Sequence, residues 1–220
     1  MSIFFQGCNL RCAYCHNPET QKLCIHCGAC VPGCPSGALT KQDGKVVWNE
    51  EICINCDQCI SVCPHNASPK VKVMTVDEVY ARVMQSVPFI RGITVSGGEC
   101  SLYPAFFTEL FARVRKEGLT CLMDSNGMTD LSLYPALMAV CDGVMLDVKA
   151  WDSDIHTQLT ALGNDVVKKN LAFLAEQKKL AEVRIVYLPN EVDAEEILSG
   201  VAQTIGKELC STVSLRLTAF

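Results

Sequence analysis

The chain has 220 residues, 49% of them hydrophobic and 20% charged, with a formal net charge of −5. That length buries a real core and suits one domain of barrel or doubly wound size plus something smaller, while the acidic balance excludes the basic stripe a nucleic-acid partner needs. Fifteen cysteines, an odd number in tight C-x-x-C runs with no secretory leader, argue for metal ligation in a reducing cytoplasm, and no run approaches the roughly 18–20 apolar residues of a membrane span.

In chain order, SIFFQG (2–7) reads as a first strand, and Cys8, Cys12 and Cys15 follow it in GCNLRCAYCHNPET. Three thiolates at C-x3-C-x2-C spacing can hold a [4Fe–4S] cube by three corners and leave one iron open, much as a catalytic zinc keeps an open position. A zinc site borrowing His16 is the alternative. Next comes an internal repeat. Cys24, Cys27, Cys30 and Cys34 precede Pro35; Cys53, Cys56, Cys59 and Cys63 precede Pro64; each lies 29 residues from its counterpart. C-x2-C-x2-C-x3-C-P written twice is the bacterial two-cluster ferredoxin run, in which the fourth cysteine serves the other cluster. One cube is then expected on Cys24, Cys27, Cys30 and Cys63, the other on Cys53, Cys56, Cys59 and Cys34. Paired zinc knuckles are the bland alternative.

Beyond residue 70, apolar runs alternate with amphipathic ones. Strands are expected at 92–97, 120–125, 143–149, 183–188 and 214–219, and helices at 75–87, 104–117, 131–140, 154–179 and 193–209. Thr75 and Glu78 form a capping box at the first helix. With the first strand this makes six strands alternating with five helices, hence a parallel sheet joined by right-handed crossovers that curls toward a barrel. In such barrels the loops after the strands line the active face, so the cysteine-rich insert emerges beside Cys8, Cys12 and Cys15.

Polar residues at strand ends need a reason in an apolar barrel. Gly97, Gly98 and Glu99 follow the second strand; the glycines bare backbone to a ligand and the carboxylate can accept an ammonium, or the three are only a turn. Asp124, Ser125, Asn126 and Gly127 carry a turn signal. Asp147 and Lys149, two apart on the fourth strand, share a face and must meet a ligand or each other. Arg184 and Arg216 are mid-strand charges that either anchor a ligand or reach solvent at the rim. Cys100, Cys121, Cys141 and Cys210 are scattered and read as packing residues, with Cys100 notable for its place after Glu99. His156 is assigned to structure.

C-x3-C-x-aromatic-C, with Tyr14 as the aromatic, resembles the signature of the radical S-adenosylmethionine (SAM) superfamily. Gly-Gly-Glu, Asp-Ser-Asn-Gly and VMLDVKAWDSDIH extend the resemblance to the activases of glycyl radical enzymes, in the branch with two extra clusters, over essentially the whole chain. The resemblance implies a partial (β/α)6 barrel of residues 1–19 and 71–220, with a two-[4Fe–4S] ferredoxin-like insert at 20–70. It implies that Cys8, Cys12 and Cys15 hold a cluster whose free iron chelates SAM, and that Gly97, Gly98 and Glu99 hold the SAM amino group. Lys149 would meet the SAM carboxylate, with Tyr14 and Arg184 at the same site. Asp124, Ser125, Asp147 and the Met145 carbonyl would line a monovalent-cation site.

The implied reaction is reductive cleavage of SAM to methionine and a 5′-deoxyadenosyl radical, which takes a hydrogen from a glycine of a partner enzyme. A monomer fed by flavodoxin or ferredoxin is expected. A radical SAM enzyme acting on a small molecule or another peptide, and a plain electron-transfer iron–sulfur protein, are the alternatives. The family's Asp-Gly-Pro-Gly-x-Arg stretch is missing ahead of the first strand, and the sixth strand has no helix after it, so the sequence reads as clipped at both ends.

Overall fold

The computed structural model describes residues 1–219. Strand β1 (Ser2–Phe5) leads into the cysteine-rich segment, which contains β2 (Leu39–Gln42), β3 (Lys45–Trp48) and the one-turn helix α1 (Gln58–Ser61). There follow α2 (Val76–Ser86), β4 (Gly92–Gly97), α3 (Pro104–Val114), β5 (Thr120–Ser125), α4 (Pro135–Val140) and β6 (Gly143–Asp147). The chain continues through α5 (Ser153–Thr160), α6 (Asp165–Glu176), β7 (Leu180–Tyr187), α7 (Ala194–Cys210) and β8 (Ser214–Ala219).

Six strands form one parallel sheet in the order β1-β4-β5-β6-β7-β8, so sequence neighbours pair and helices make each crossover. β1 and β8 are the sheet's two edges. The sheet is buried on both faces at its centre: Val144 and Leu146 are at 0% exposure, which is why GVML reads as an uninterrupted apolar run. Phe107, Leu110, Phe111 and Val114 of α3 fill the space against it, and Phe107 stands edge-on to Phe5 of β1 at 4.7 Å. Helix α2 begins at the expected capping box: Thr75 Oγ1 accepts from the Glu78 amide, and Glu78 accepts from the Thr75 amide at 2.7 Å. Among the described residues no helix is long and apolar enough to cross a membrane.

The structure corrects three expectations. The single helix expected at 154–179 is two, α5 and α6, broken where Ala161 turns left-handed (φ 73°) ahead of Gly163 and Asn164. Both halves are amphipathic, so periodicity alone ran through the break. β6 ends at Asp147, leaving Lys149 just beyond the strand. The cysteine-rich segment also carries an unexpected antiparallel hairpin, β2–β3, around Asp43 and Gly44, both at positive φ. Asp-Gly between extended runs is a legible hairpin signal. The segment has its own small core of Cys30, Leu39, Val46 and Cys59, with Val31, Trp48 and Ile60 against it. The 29-residue repeat extends to the backbone: His26 and Asn55, its two equivalent positions, both sit at left-handed φ (58° and 54°).

Candidate functional site

The loop of Cys8, Cys12 and Cys15 is held from three sides. At its start, Gly7 N–H donates to Thr20 O and Cys8 N–H to Gln21 O. Glu99 N–H donates back to Gly7 O at 2.7 Å, tying the loop to the exit of β4. Farther on, Arg11 and Ala13 N–H donate to Thr160 O and Leu159 O at 3.0 and 2.9 Å. These are carbonyls that the end of α5 leaves without helical partners. The helix break that periodicity missed therefore anchors the cysteine loop. Gly98 makes the close approach possible: a Cβ there would overlap the Gly7 carbonyl oxygen and lie 2.7 Å from Thr20 O.

One cavity of about 460 Å³ lies at the strand C-termini, within the usual size of a small-molecule site. It is lined by Cys8, Cys12, Cys15, Tyr14, Gly97, Gly98, Glu99, Asp124, Asp147, Lys149 and Arg184. These come from the first cysteine loop and from β4, β5, β6 and β7 or their exits. Of the residues that the family resemblance assigned to this site, Ser125 and Met145 are off the wall.

The carboxylate of Glu99 is 1% exposed and turned to the protein. It accepts from Ser101 N–H and Ser125 Oγ at 2.9 Å each and from Asn126 N–H at 2.7 Å. Burial still pushes its pKa up, against those three bonds. Three donors thus hold the carboxylate in place at the cavity wall. Ser125 likewise spends its hydroxyl on Glu99. Asn126, read from sequence only as part of a turn, proves to link the motifs: its Nδ2 donates to Asn9 Oδ1 at 2.8 Å and lies 3.6 Å from Cys8 Sγ.

Lys149 reaches back to Asp147 at 2.9 Å and lies 5.8 Å from the Tyr14 ring centre. Burial alone would lower the Lys149 pKa, but Asp147 and its other acidic neighbours overcome it and raise it, so the ammonium stays charged. Arg184 pairs with Asp124 at 2.7 Å and Glu182 at 2.6 Å. Asp124 has its pKa raised by burial and by Asp147, with Arg184 pulling the other way. Of the expected cation ligands, Ser125 donates its hydroxyl proton to Glu99 and Asp124 pairs with Arg184. Arg216 is 61% exposed and reaches Glu182 at 3.5 Å, so it sits at the rim. His156 is buried, with Nδ1 2.6 Å from Leu162 O, as a structural residue. Cys100, Cys121 and Cys141 are buried at 0% exposure.

Burial raises the pKa of both Cys8 and Cys12, so their bare thiolates are disfavoured and a bound metal would be what stabilises them. In the cysteine-rich segment two smaller cavities sort the remaining cysteines. One is lined by Cys24, Cys27, Cys30 and Cys63, the other by Cys34, Cys53, Cys56 and Cys59. Each takes three cysteines from one repeat and the fourth from the other. Among the described residues no three His, Cys, Asp or Glu converge as a single-ion site. Four thiolates in each set match the donor count of a [4Fe–4S] cube, one per iron.

The profile of the Radical SAM superfamily matches residues 2–199. The chain is 32% identical over 219 residues to the choline trimethylamine-lyase activating enzyme of Oleidesulfovibrio alaskensis, covering 91% of this chain and 71% of that one. It is 30% identical to the (2S)-3-sulfopropanediol dehydratase activating enzyme of Klebsiella oxytoca, covering 99% and 75%. Among solved structures, Streptococcus suis SuiB bound to its precursor peptide SuiA superposes with a TM-score of 0.62 at 10% identity, over 100% of this chain and 38% of that one. That likeness speaks for the fold alone.

Proposed function

The chain belongs to the radical SAM superfamily, among the activating enzymes of glycyl radical enzymes, and we propose that it cleaves SAM reductively to radicalise one glycine of such a partner. The observation that carries this reading is the gathering of three cysteines and eight further motif residues on one cavity wall. Cys8, Cys12 and Cys15 would hold a [4Fe–4S] cluster with one iron free. That cluster, when bound, supplies one electron to the SAM sulfonium, so that the sulfur–carbon bond breaks to methionine and a 5′-deoxyadenosyl radical. The radical then takes a hydrogen atom from the glycine α-carbon, leaving 5′-deoxyadenosine and the glycyl radical.

The protein's own work is to hold and exclude. Lys149 and Arg184 offer cationic donors to the SAM carboxylate. Tyr14 and the Gly97–Gly98 turn shape the wall. A monovalent cation would enter only by displacing Arg184 from Asp124. The two cross-shared cysteine sets would hold two more [4Fe–4S] clusters. Cys27 and Cys56, one in each set, are exposed, which suits electron entry from a flavodoxin or ferredoxin. We place the enzyme in the reducing cytoplasm, as a monomer.

The test is anaerobic reconstitution with iron and sulfide, reduction, and addition of SAM. 5′-Deoxyadenosine should form, and mixing with the cognate glycyl radical enzyme, sought first among neighbouring genes, should give a glycyl-radical EPR signal. No 5′-deoxyadenosine would overturn the chemistry; 5′-deoxyadenosine with no glycyl radical would shift the reading to a different substrate.

A further inference from the structure

Glu182 belongs to none of the motifs that define the cavity, and it is not on the cavity wall. It lies on β7 two residues before Arg184, so both side chains leave the same face of the strand. Its side chain is 13% exposed. Oε1 accepts from Arg184 Nε at 2.6 Å. On the far side, Ser214 Oγ on β8 donates to Oε2 at 3.3 Å, and Arg216 Nε lies 3.5 Å from Oε1. Glu182 is thus itself fixed by β8 before it acts on Arg184.

Each nitrogen of the Arg184 guanidinium has a different neighbour. Nε goes to Glu182, Nη1 to Asp124 at 2.7 Å, and Nη2 to Met145 Sδ at 3.0 Å. A guanidinium is a rigid planar fork on a flexible stem, so fixing Nε sets the plane and aims both Nη groups. Of the two carboxylates on this arginine, only Asp124 lines the cavity. A ligand carrying a carboxylate would compete with Asp124 for the Nη edge, but it would leave the Nε bond untouched. Without Glu182 the stem is free to take other rotamers, and Asp124 remains the sole carboxylate to hold the charge.

We propose that Glu182 is a positioning residue for ligand binding, holding the Arg184 fork toward the carboxylate end of SAM through Nε. The inference rests on the reading of the cavity as the SAM site. Its readout is the affinity of anaerobically reconstituted, oxidised enzyme for SAM, measured by calorimetry in a double-mutant cycle. Glu182→Gln keeps the shape and removes the charge. It should weaken SAM binding about tenfold, the weight of one charge-assisted hydrogen bond made less well. Iron content should be unchanged, and 5′-deoxyadenosine formation at saturating SAM should stay within about threefold of wild type.

In an Arg184→Met background, Glu182→Gln should add less than a further twofold, because its whole effect travels through the arginine. Equal weakening in both backgrounds, or no weakening in either, overturns the proposal and leaves Glu182 a strand-to-strand ion pair. Should Glu182→Gln fail to fold, Ser214→Ala takes its place in the cycle, with a smaller loss of affinity and the same dependence on Arg184. Wild-type enzyme that binds no SAM would sink the function itself, a result separate from either outcome of the cycle.

Discussion

Alanine replacements in the cysteine-rich segment distinguish pairing along the chain from pairing across the repeat. Cys63 lines the cavity of Cys24, Cys27 and Cys30, while Cys34 lines the cavity of Cys53, Cys56 and Cys59. A chain loaded at all three cysteine sets carries about twelve irons, four per cube. The double variant Cys24→Ala, Cys63→Ala damages one cavity only, so about eight irons should remain. Cys24→Ala with Cys34→Ala damages both, and about four should remain. Were each cube served by four successive cysteines, the two counts would be exchanged. Iron per chain after anaerobic reconstitution, with Mössbauer spectra to confirm cubanes, decides between them. The margin of one whole cube exceeds any error of such an assay. Finding eight irons in the Cys24/Cys34 variant and four in the Cys24/Cys63 variant would refute the arrangement of the two cavities.

Three shorter predictions concern the main cavity and its supports. Gly98→Ala pushes a methyl group into the Gly7 and Thr20 backbone carbonyls, which no rotamer can relieve. It should cost about 3 kcal/mol and strip iron from the Cys8, Cys12 and Cys15 site first; an unchanged melting temperature and iron content would contradict this. Glu99→Gln keeps one acceptor oxygen but turns an amide donor toward the buried N–H of Asn126 or Ser101. That should destabilise by about 1–3 kcal/mol, less than Glu99→Ala, which orphans all three donors. Thermal melts of the two variants in parallel read the order, and the reverse order would count against the buried-acceptor account. His156 has its pKa lowered by burial below its ordinary 6.5, so the unfolded chain binds the proton more readily. Its contribution is complete above about pH 6.5 and is lost as pH falls below that value. Melting temperature should therefore drop between pH 7 and 5.5 more steeply in wild type than in His156→Gln, and equal slopes would dismiss the assignment.

The site was legible in sequence to the extent that its chemistry depends on residue type and short spacing. Thiolates four and three positions apart, Gly-Gly-Glu after a buried strand, and Asp147 with Lys149 announce themselves locally, because each sits where a strand ends and a loop begins. The strands were legible for a similar reason: a parallel sheet buried on both faces needs unbroken apolar runs such as GVML. The same local logic failed at 154–179, where two amphipathic helices in tandem keep one periodicity and only the left-handed turn at Ala161 separates them. It is also silent on the surroundings of Glu99. Its partners Ser125 and Asn126 lie 26 and 27 residues away, and they turn it inward.

By itself, then, the order of residues determined the six parallel strands, the capping box of α2, the three-cysteine loop and the repeat that divides eight cysteines into two runs. Those features follow from short-range sterics and from apolar periodicity, which act along the chain. Tertiary structure alone decided which charged groups meet. Arg184 stands between Asp124 and Glu182, Asn126 reaches the Cys8 sulfur, and the end of α5 ties down the cysteine loop. Charges and buried donors take the partner that packing brings within about 3 Å, and that distance bears no relation to separation in sequence.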